Sequence, residues 1–366
     1  IKECDWSSDV CSSDLPGPAM RIWPSMRTPP ISPDAPWLAP LAGYSDLPFR
    51  ILCRRMGAAA ACTEMVSAKG LLYGGGGTER ILATHPEDEP LVVQLFGSEP
   101  ETFGPVMDDL LARGFRWFDL NSGCPVRKVL KSGSGAALLQ RPETLLAVAK
   151  VMVRAAGPGA VGVKIRLGFQ LGEEVFLDLA RRLEDLGVGW ITLHPRYARQ
   201  MFSGQAHWDR LAALVAAVRL PVIASGDLFS AEDAVRCVEQ TGVAGLMFAR
   251  GALHDPSIFA RYLGLRRGEP LAPADGGFLA GIVGEHIRLT REFDGSLRSF
   301  RKIRSLIPRY ARGLRNVRAL RTQLLCCLTW EALEETAARI EHLEPADGPQ
   351  PGEDAAFPLT DPYVPE

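Results

Sequence analysis

The sequence predicts an α/β fold: a closed (β/α)8 TIM barrel followed by a small all-helical C-terminal domain. Three observations predict it. From residue 37 to about 264, eight short apolar runs alternate with amphipathic helical patterns. The runs are apolar almost throughout, as parallel strands covered on both faces must be. Polar residues and glycines collect just after the runs, at the end where a barrel carries its site. An open doubly wound sheet is the competing arrangement, but no GxGxxG follows a strand.

The expected strands are 37–42 (WLAPLA), 59–63 (AAACT), 91–96 (LVVQLF), 115–121 (FRWFDLN), 160–167 (AVGVKIRL), 189–194 (GWITLH), 221–225 (PVIAS) and 244–249 (AGLMFA). Between them, helical periodicity runs over 101–113, 142–156, 174–187 and 230–241. Start signals precede three of these helices: Ser98 or Glu99-Pro100, Arg141-Pro142, and Ser230 with Asp233 three residues on. The barrel is expected over 34–268. Beyond about residue 270 the strand signal stops, and a helical domain is expected over 275–342, interrupted at Pro308 and Gly313.

Both ends differ from the middle. Residues 1–19 are rich in Ser, Asp and Cys, lack apolar periodicity, and read as a non-native leader; the native start is expected at Met20 or Met26. The segment 343–366 is acidic and Pro-rich with no Lys or Arg, and is expected to be a disordered tail. No apolar run approaches the 18 or so residues of a membrane span, so no membrane partner is expected. Of eight cysteines, Cys4 and Cys11 lie in the leader, and the others show no CxxC or Cys/His zinc spacing. Reduced thiols, a cytoplasmic location and no metal follow as expectations; a monomer is expected as well.

The strand exits carry the chemistry. The first ends Ala39-Pro40-Leu41-Ala42-Gly43, whose Pro and Gly let backbone approach a flat ligand. The third presents Gln94, the fourth ends in Asp119-Leu-Asn121-Ser-Gly-Cys124-Pro, the fifth presents Lys164 and Arg166, and the sixth ends in His194-Pro-Arg196. The seventh ends Ser225-Gly226-Asp227 and the eighth Ala249-Arg250-Gly251. In barrels these last two turns commonly hold phosphate, and Arg250 adds charge-assisted bonds. Gln94 and Lys164 suit the polar edge of a ring system, and a cation there favours a reduced flavin. Taken in order, the exits look like a flavin mononucleotide (FMN) site. Cys124 stands in a Gly/Pro loop at the active end, where a protonated thiol is able to donate a proton to a carbanion. Blander roles stay open: Cys124 as a packed loop thiol, His194 as a strand-end hydrogen-bonder, Asn121 as a turn cap.

The overall charge is −2, from 41 Lys and Arg against 43 Asp and Glu, and argues against a nucleic-acid partner. Its distribution reverses that. Residues 288–321 hold eleven Lys and Arg against Glu292 and Asp294, so +9 there leaves −11 elsewhere. A single-sign run dominated by Arg suits phosphate contact better than a solvated face. The candidates for RNA contact are Arg298, Arg301, Lys302, Arg309, Arg312 and Arg315.

The chain resembles the tRNA-dihydrouridine synthases. The matching stretches are APLAGYSDLPFR at 39–50, TEMVSAKGL at 63–71, VVQLFGSEPE at 92–101, DLNSGCPVRKVLKSGSGAALL at 119–139, VKIRLG at 163–168, PVIASGDL at 221–228 and LMFARGAL at 246–253. The resemblance implies an FMN-binding barrel plus a helical tRNA-binding domain. It implies reduction of the 5,6 double bond of a tRNA uridine, with NADPH reloading the flavin. Cys124 falls on the family's proton donor to carbon 5, after hydride reaches carbon 6 from flavin N5. Pro40, Leu41 and Ala42 fall on its first FMN loop, and Gln94 and Lys164 on its ring contacts. Asn121 and His194 fall on positions lining flavin and uracil. Ser225, Gly226, Asp227, Ala249 and Arg250 fall on phosphate and ribityl contacts. Two positions depart from the usual pattern: Ser225 where many members have Asn, and Ala249 where many have Gly. Ala249 keeps its N–H but requires a φ that is not positive. The alternative is an FMN-dependent enzyme acting on a free pyrimidine, which has no need of an arginine-rich helical domain. A non-catalytic RNA-binding protein on a relic barrel is the third reading, and it predicts the loss of Cys124, Lys164 or the phosphate turns, all of which are present.

Overall fold

The structure is a computed structural model that describes residues 29–271, 275–311, 313–315 and 317–345. The expected leader over 1–19 and most of the expected tail therefore lie outside the described residues.

The strands are β1 (Trp37–Leu38), β2 (Ala60–Cys62), β3 (Val66–Ser67), β4 (Leu91–Phe96), β5 (Trp117–Ser122), β6 (Val161–Arg166), β7 (Trp190–His194), β8 (Val222–Ala224) and β9 (Gly245–Phe248). All pairings among them are parallel, and β1 joins β9, so the sheet closes into a barrel. The expected eight staves are present, with the second one interrupted. Both β2 and β3 pair with β4, so they are two pieces of one stave. The break has a cause: the Gln94 N–H donates to the Thr63 hydroxyl at 3.0 Å instead of to a backbone carbonyl. The first stave is shorter than expected because Pro40 has no N–H to continue the ladder.

Helices cover the barrel: α1 (Leu47–Arg55), α2 (Pro100–Ala112), α3 (Pro142–Ala156), α4 (Phe176–Asp185), α5 (Trp208–Ala217), α6 (Ala231–Thr241) and α7 (Ile258–Arg266). Ser230 and Asp233 form a reciprocal capping box at the start of α6. Pro100 and Pro142 open α2 and α3 at the position where a missing N–H costs nothing. Ser98 does not cap; its hydroxyl donates to the Ser132 carbonyl at 2.9 Å.

Within the barrel, side chains alternate. On β6, Val161, Val163 and Ile165 join the layer beneath the helices, and by alternation Gly162, Lys164 and Arg166 face inward. The same parity sends Asp119 and Asn121 of β5, and Trp190, Thr192 and His194 of β7, to the interior. The lower interior is an apolar plug of Trp37, Val92, Trp190, Ile223 and Met247. Trp37 and Trp190 meet edge to face at 5.5 Å. Polar side chains fill the upper turns of the same strands, so the polarity rises toward the C-terminal mouth.

Gly162 makes room for that plug. A Cβ there would lie 2.0 Å from Trp190 Cε2 and Nε1. Gly162→Ala is expected to destabilise the barrel by at least about 2 kcal/mol, since an overpacked core shifts backbone or rotamers. An unchanged urea midpoint for this variant would show that Trp190 has a second place to go.

The C-terminal region is helical: α8 (Gly276–Asp294), α9 (Leu297–Leu306), α10 (Val317–Cys326) and α11 (Trp330–Ala338). Pro308 lies in a 3-10 turn after α9, and Gly313 has φ 81°, so both interruptions are where the sequence has them. One apolar cluster runs from the barrel's helical layer into these helices. His286 of α8 packs against Phe49 of α1 and bonds Tyr310 OH at 2.9 Å. Among the described residues, no helix is long and apolar enough to cross a membrane.

Candidate active site

A cavity of about 1030 Å³, counted out to its open mouth, occupies the C-terminal end of the barrel. That is the end where parallel barrels place their chemistry. Its wall includes Pro40, Leu41, Ala42, Asn121, Cys124, Lys164, His194, Ser225, Gly226, Asp227, Ala249 and Arg250. Of the barrel residues expected at the site, Gln94 alone is not part of this wall.

Gln94 is fully buried and engaged behind it. Its Nε2 donates to Asp119 Oδ2 at 2.7 Å, and its Oε1 accepts from Asn121 Nδ2 at 2.8 Å. Asn121 Oδ1 in turn accepts from the N–H groups of Cys124 at 3.0 Å and Gly123 at 3.3 Å. Asn121 is thus a turn cap and a wall residue at once. Gly135, at φ 61°, presses on the same loop; a Cβ there would stand 2.7 Å from the Cys124 carbonyl oxygen. The carbonyl of Gly123 accepts from Arg166 Nε at 2.8 Å. Arg166 Nη1 also donates to the carbonyls of Met201 (2.8 Å) and Tyr197 (3.1 Å). Arg166 therefore ties the cysteine loop to the loop after β7.

Burial pushes the Cys124 thiol above its ordinary range, although the Val126 N–H, Arg166 and Lys164 pull the other way. At neutral pH it is a thiol, not a thiolate. It accepts from that backbone N–H, and among the described residues no side-chain base is paired with it to activate it as a nucleophile. Lys164 is half-buried, and its ammonium has no hydrogen-bond or ion-pair partner among the described residues. Burial lowers its pKa, against the pull of Asp119; burial raises that of Asp119, against Gln94 and Lys164. His194 is held well below its usual pKa, first by burial and then by Arg166, Lys164, Arg196 and Arg250. It is a neutral ring, and Arg196 Nη1 lies 3.2 Å from its Nε2.

Asp227 is engaged by protein groups. Arg196 grips it with two bonds of 2.8 and 2.7 Å, Arg250 Nη2 adds one at 3.1 Å, and the Ala206 N–H another at 2.7 Å. Gly226 beside it, at φ 129°, has no room for a Cβ, which would sit 2.7 Å from His194 Cδ2. Arg250 lies between the Phe202 and Phe229 rings, 4.9 and 4.7 Å from their centroids. Ala249 has φ −120°, the sign its Cβ requires.

The basic run divides. Arg298, Arg301 and Arg315 are exposed. Lys302 turns inward, paired with Asp46 at 2.5 Å and donating to the Tyr44 carbonyl at 3.1 Å. Arg309 is buried, its guanidinium over the Tyr44 ring. Arg304 donates to the Cys327 carbonyl at 2.6 Å. Arg288 pairs with Glu285 and Glu292, and Arg291 with Glu331 and Glu334. Arg312 lies outside the described residues. Formal charge therefore overstates the free positive surface.

Sequence reasoning placed Asp119, Arg166 and Arg196 at strand exits but assigned them no role in the site. The signal was present: polar residues at every second position of a buried strand, as in Asp119/Asn121 and Lys164/Arg166, face one barrel interior.

A parallel barrel whose mouth combines a protonated thiol with concentrated positive charge suits electron transfer to a ring followed by protonation, which is oxidoreductase chemistry. Sequence comparison makes the assignment particular. The family model for dihydrouridine synthase (Dus) matches residues 37–342, and the chain belongs to that family. It is 35% identical over 292 residues to the probable tRNA-dihydrouridine synthase 1 of Synechocystis sp., covering 78% of this chain and 80% of that one. It is 34% identical to tRNA-dihydrouridine synthase B of Pseudomonas aeruginosa, covering 78% and 86%. It is 34% identical to the probable tRNA-dihydrouridine synthase of Aquifex aeolicus, covering 83% and 94%.

Proposed function

We propose that this oxidoreductase reduces the 5,6 double bond of a specific uridine in tRNA, with FMN as its resident cofactor and NADPH as the electron source. The observation that carries the proposal is the sharing of one cavity wall by the Cys124 thiol and the Lys164 ammonium. The residues fit the cofactor: a cation with no partner among the described residues lines the cavity, and the backbone at Gly226 is bare where a Cβ would not fit. Pro40, Leu41 and Ala42 would hold the ring system, and Ser225, Gly226, Ala249 and Arg250 the ribityl phosphate. Asp227 would serve by fixing Arg250. When bound, the flavin supplies the hydride that goes to uracil carbon 6.

The chain's own groups do the rest. Cys124 holds a proton at Sγ and gives it to carbon 5. Lys164 sets positive charge against the ring that takes up electrons. His194, neutral among four cations, presents a polar ring without adding charge. A uracil stacked in folded RNA cannot enter a barrel mouth, so the uridine is flipped out at a cost of a few kcal/mol. The helical region supplies phosphate contacts through exposed Arg298, Arg301 and Arg315.

The test has two parts. Purified protein should carry flavin absorbance that NADPH bleaches, and tRNA from cells lacking it should lose dihydrouridine at one position. Protein that cannot take up FMN would sink the cofactor assignment. Turnover of a free pyrimidine with tRNA untouched would sink the substrate. Arg301→Glu with Arg315→Glu should weaken tRNA binding and reduce the slope of log affinity against log salt by about 2, one unit per phosphate contact.

A further inference from the structure

We propose that Asp119 and Gln94 are positioning residues that set the orientation of the Cys124 loop through a one-way hydrogen-bond chain; the task given to Cys124 rests on the function proposed above. A carboxylate oxygen only accepts. Because Asp119 Oδ2 accepts from Gln94 Nε2, the Gln94 amide has its NH2 toward Asp119 and its Oε1 toward Asn121. Oε1 accepts from Asn121 Nδ2, which turns Asn121 Oδ1 outward to the Gly123 and Cys124 N–H groups. Reversing any one amide would set two donors or two acceptors face to face. Protonation of Asp119 on Oδ1, which has no partner among the described residues, would leave Oδ2 an acceptor. The direction is therefore the same for the carboxylate and for the acid protonated on Oδ1.

The three side chains are 1, 0 and 5% exposed, so solvent is poorly placed to replace a lost link. Barrel closure supplies the placement. Gln94 and Asp119 are register partners on β4 and β5, and Asn121 stands two residues on, on the same face. One interior carboxyl thus fixes, through two amides, the backbone that carries the thiol.

Moving the charge one step along the chain separates this role from simple packing. Asp119→Asn alone lets Gln94 turn over. Gln94→Glu alone sets two carboxylates against each other. In the double variant Asp119→Asn/Gln94→Glu, the new amide at 119 donates and the new carboxylate at 94 accepts from both neighbours, so Asn121 keeps its direction. The readout is iodoacetamide labelling of Cys124 in flavin-loaded protein without tRNA, with exposed Cys326 as internal reference.

Each single variant should label Cys124 about tenfold faster, the factor set by one hydrogen bond. Each should also slow the tRNA-reducing step about 100-fold, as a displaced catalytic group does. The double variant should return both toward wild type. Singles that label like wild type, or a double no better than its singles, would overturn the proposal. Should a single variant unfold, a folded double with wild-type labelling supports the chain and an unfolded double overturns it. Labelling needs no tRNA, so the expected labelling with no tRNA reduction would remove the proposed substrate and leave the positioning role standing.

Discussion

Cys124→Ala is expected to leave flavin bound and reducible by NADPH while slowing tRNA reduction by about 10²–10⁴-fold, the range a single positioned general acid contributes. The measurement is a single turnover: enzyme reduced with NADPH is mixed with tRNA, and flavin reoxidation is followed. Splitting the half-reactions matters, because a loss of flavin would lower overall turnover without testing the thiol. Alanine removes Sγ and leaves the loop's backbone bonds to Asn121, Ala136 and Arg166 untouched. The pH dependence follows from the direction of the thiol's shift. The donor must be protonated, and burial raises its pKa. Activity limited by this step should stay flat through neutral pH and fall only above the ordinary thiol range. A decline between pH 6 and 8 would point to another group, and an unchanged rate in the alanine variant would remove Cys124 from the acid role.

The barrel was legible because burial on both faces leaves an apolar run whatever the register. The eight staves and the caps at Ser230, Pro100 and Pro142 come from local chemistry that sequence displays. The split second stave was not legible, since it depends on one hydroxyl, that of Thr63, taking a neighbour's N–H. Site residues were found where they stand at strand exits with glycine or proline. Asp119 and Arg196 stand in the same exits, yet sequence gives them no role, because their work is to hold Gln94 and Asp227 and a partner on another strand or loop is not visible in the pattern. Charge was the least faithful guide. Lys302 and Arg309 belong to the same basic run as Arg301, yet they face Tyr44 and Asp46. A helix carries cations on every side, and one sequence does not say which side meets the barrel.

The second large effect concerns Asp227, and here the structure and the family pattern lead to different experiments. Were Asp227 a direct cofactor contact, Asp227→Asn would lower flavin affinity and leave the stability of the flavin-free protein as it was. Its four hydrogen bonds to three protein partners argue otherwise. Arg196 has a side chain only 2% exposed, and Asp227 is its counterion. Asparagine keeps one acceptor but turns its NH2 either toward Arg196 and Arg250 or toward Arg196 and the Ala206 N–H, donor against donor in both cases. Breaking a buried pair by removing one partner costs about 3–5 kcal/mol, because the remaining charge stays desolvated. The flavin-free variant should therefore unfold at a markedly lower urea concentration. Flavin affinity should fall as well, since the turn at 226–227 and Arg250 lose their common anchor. The double variant Arg196→Met/Asp227→Leu separates the two effects: with the deeply buried Arg196 charge gone it should regain much of the stability, while Arg250, still without a counterion, should leave flavin binding weak. If Asp227→Asn instead loses flavin at an unchanged urea midpoint, the carboxylate meets the ligand directly and the arginine cluster is secondary.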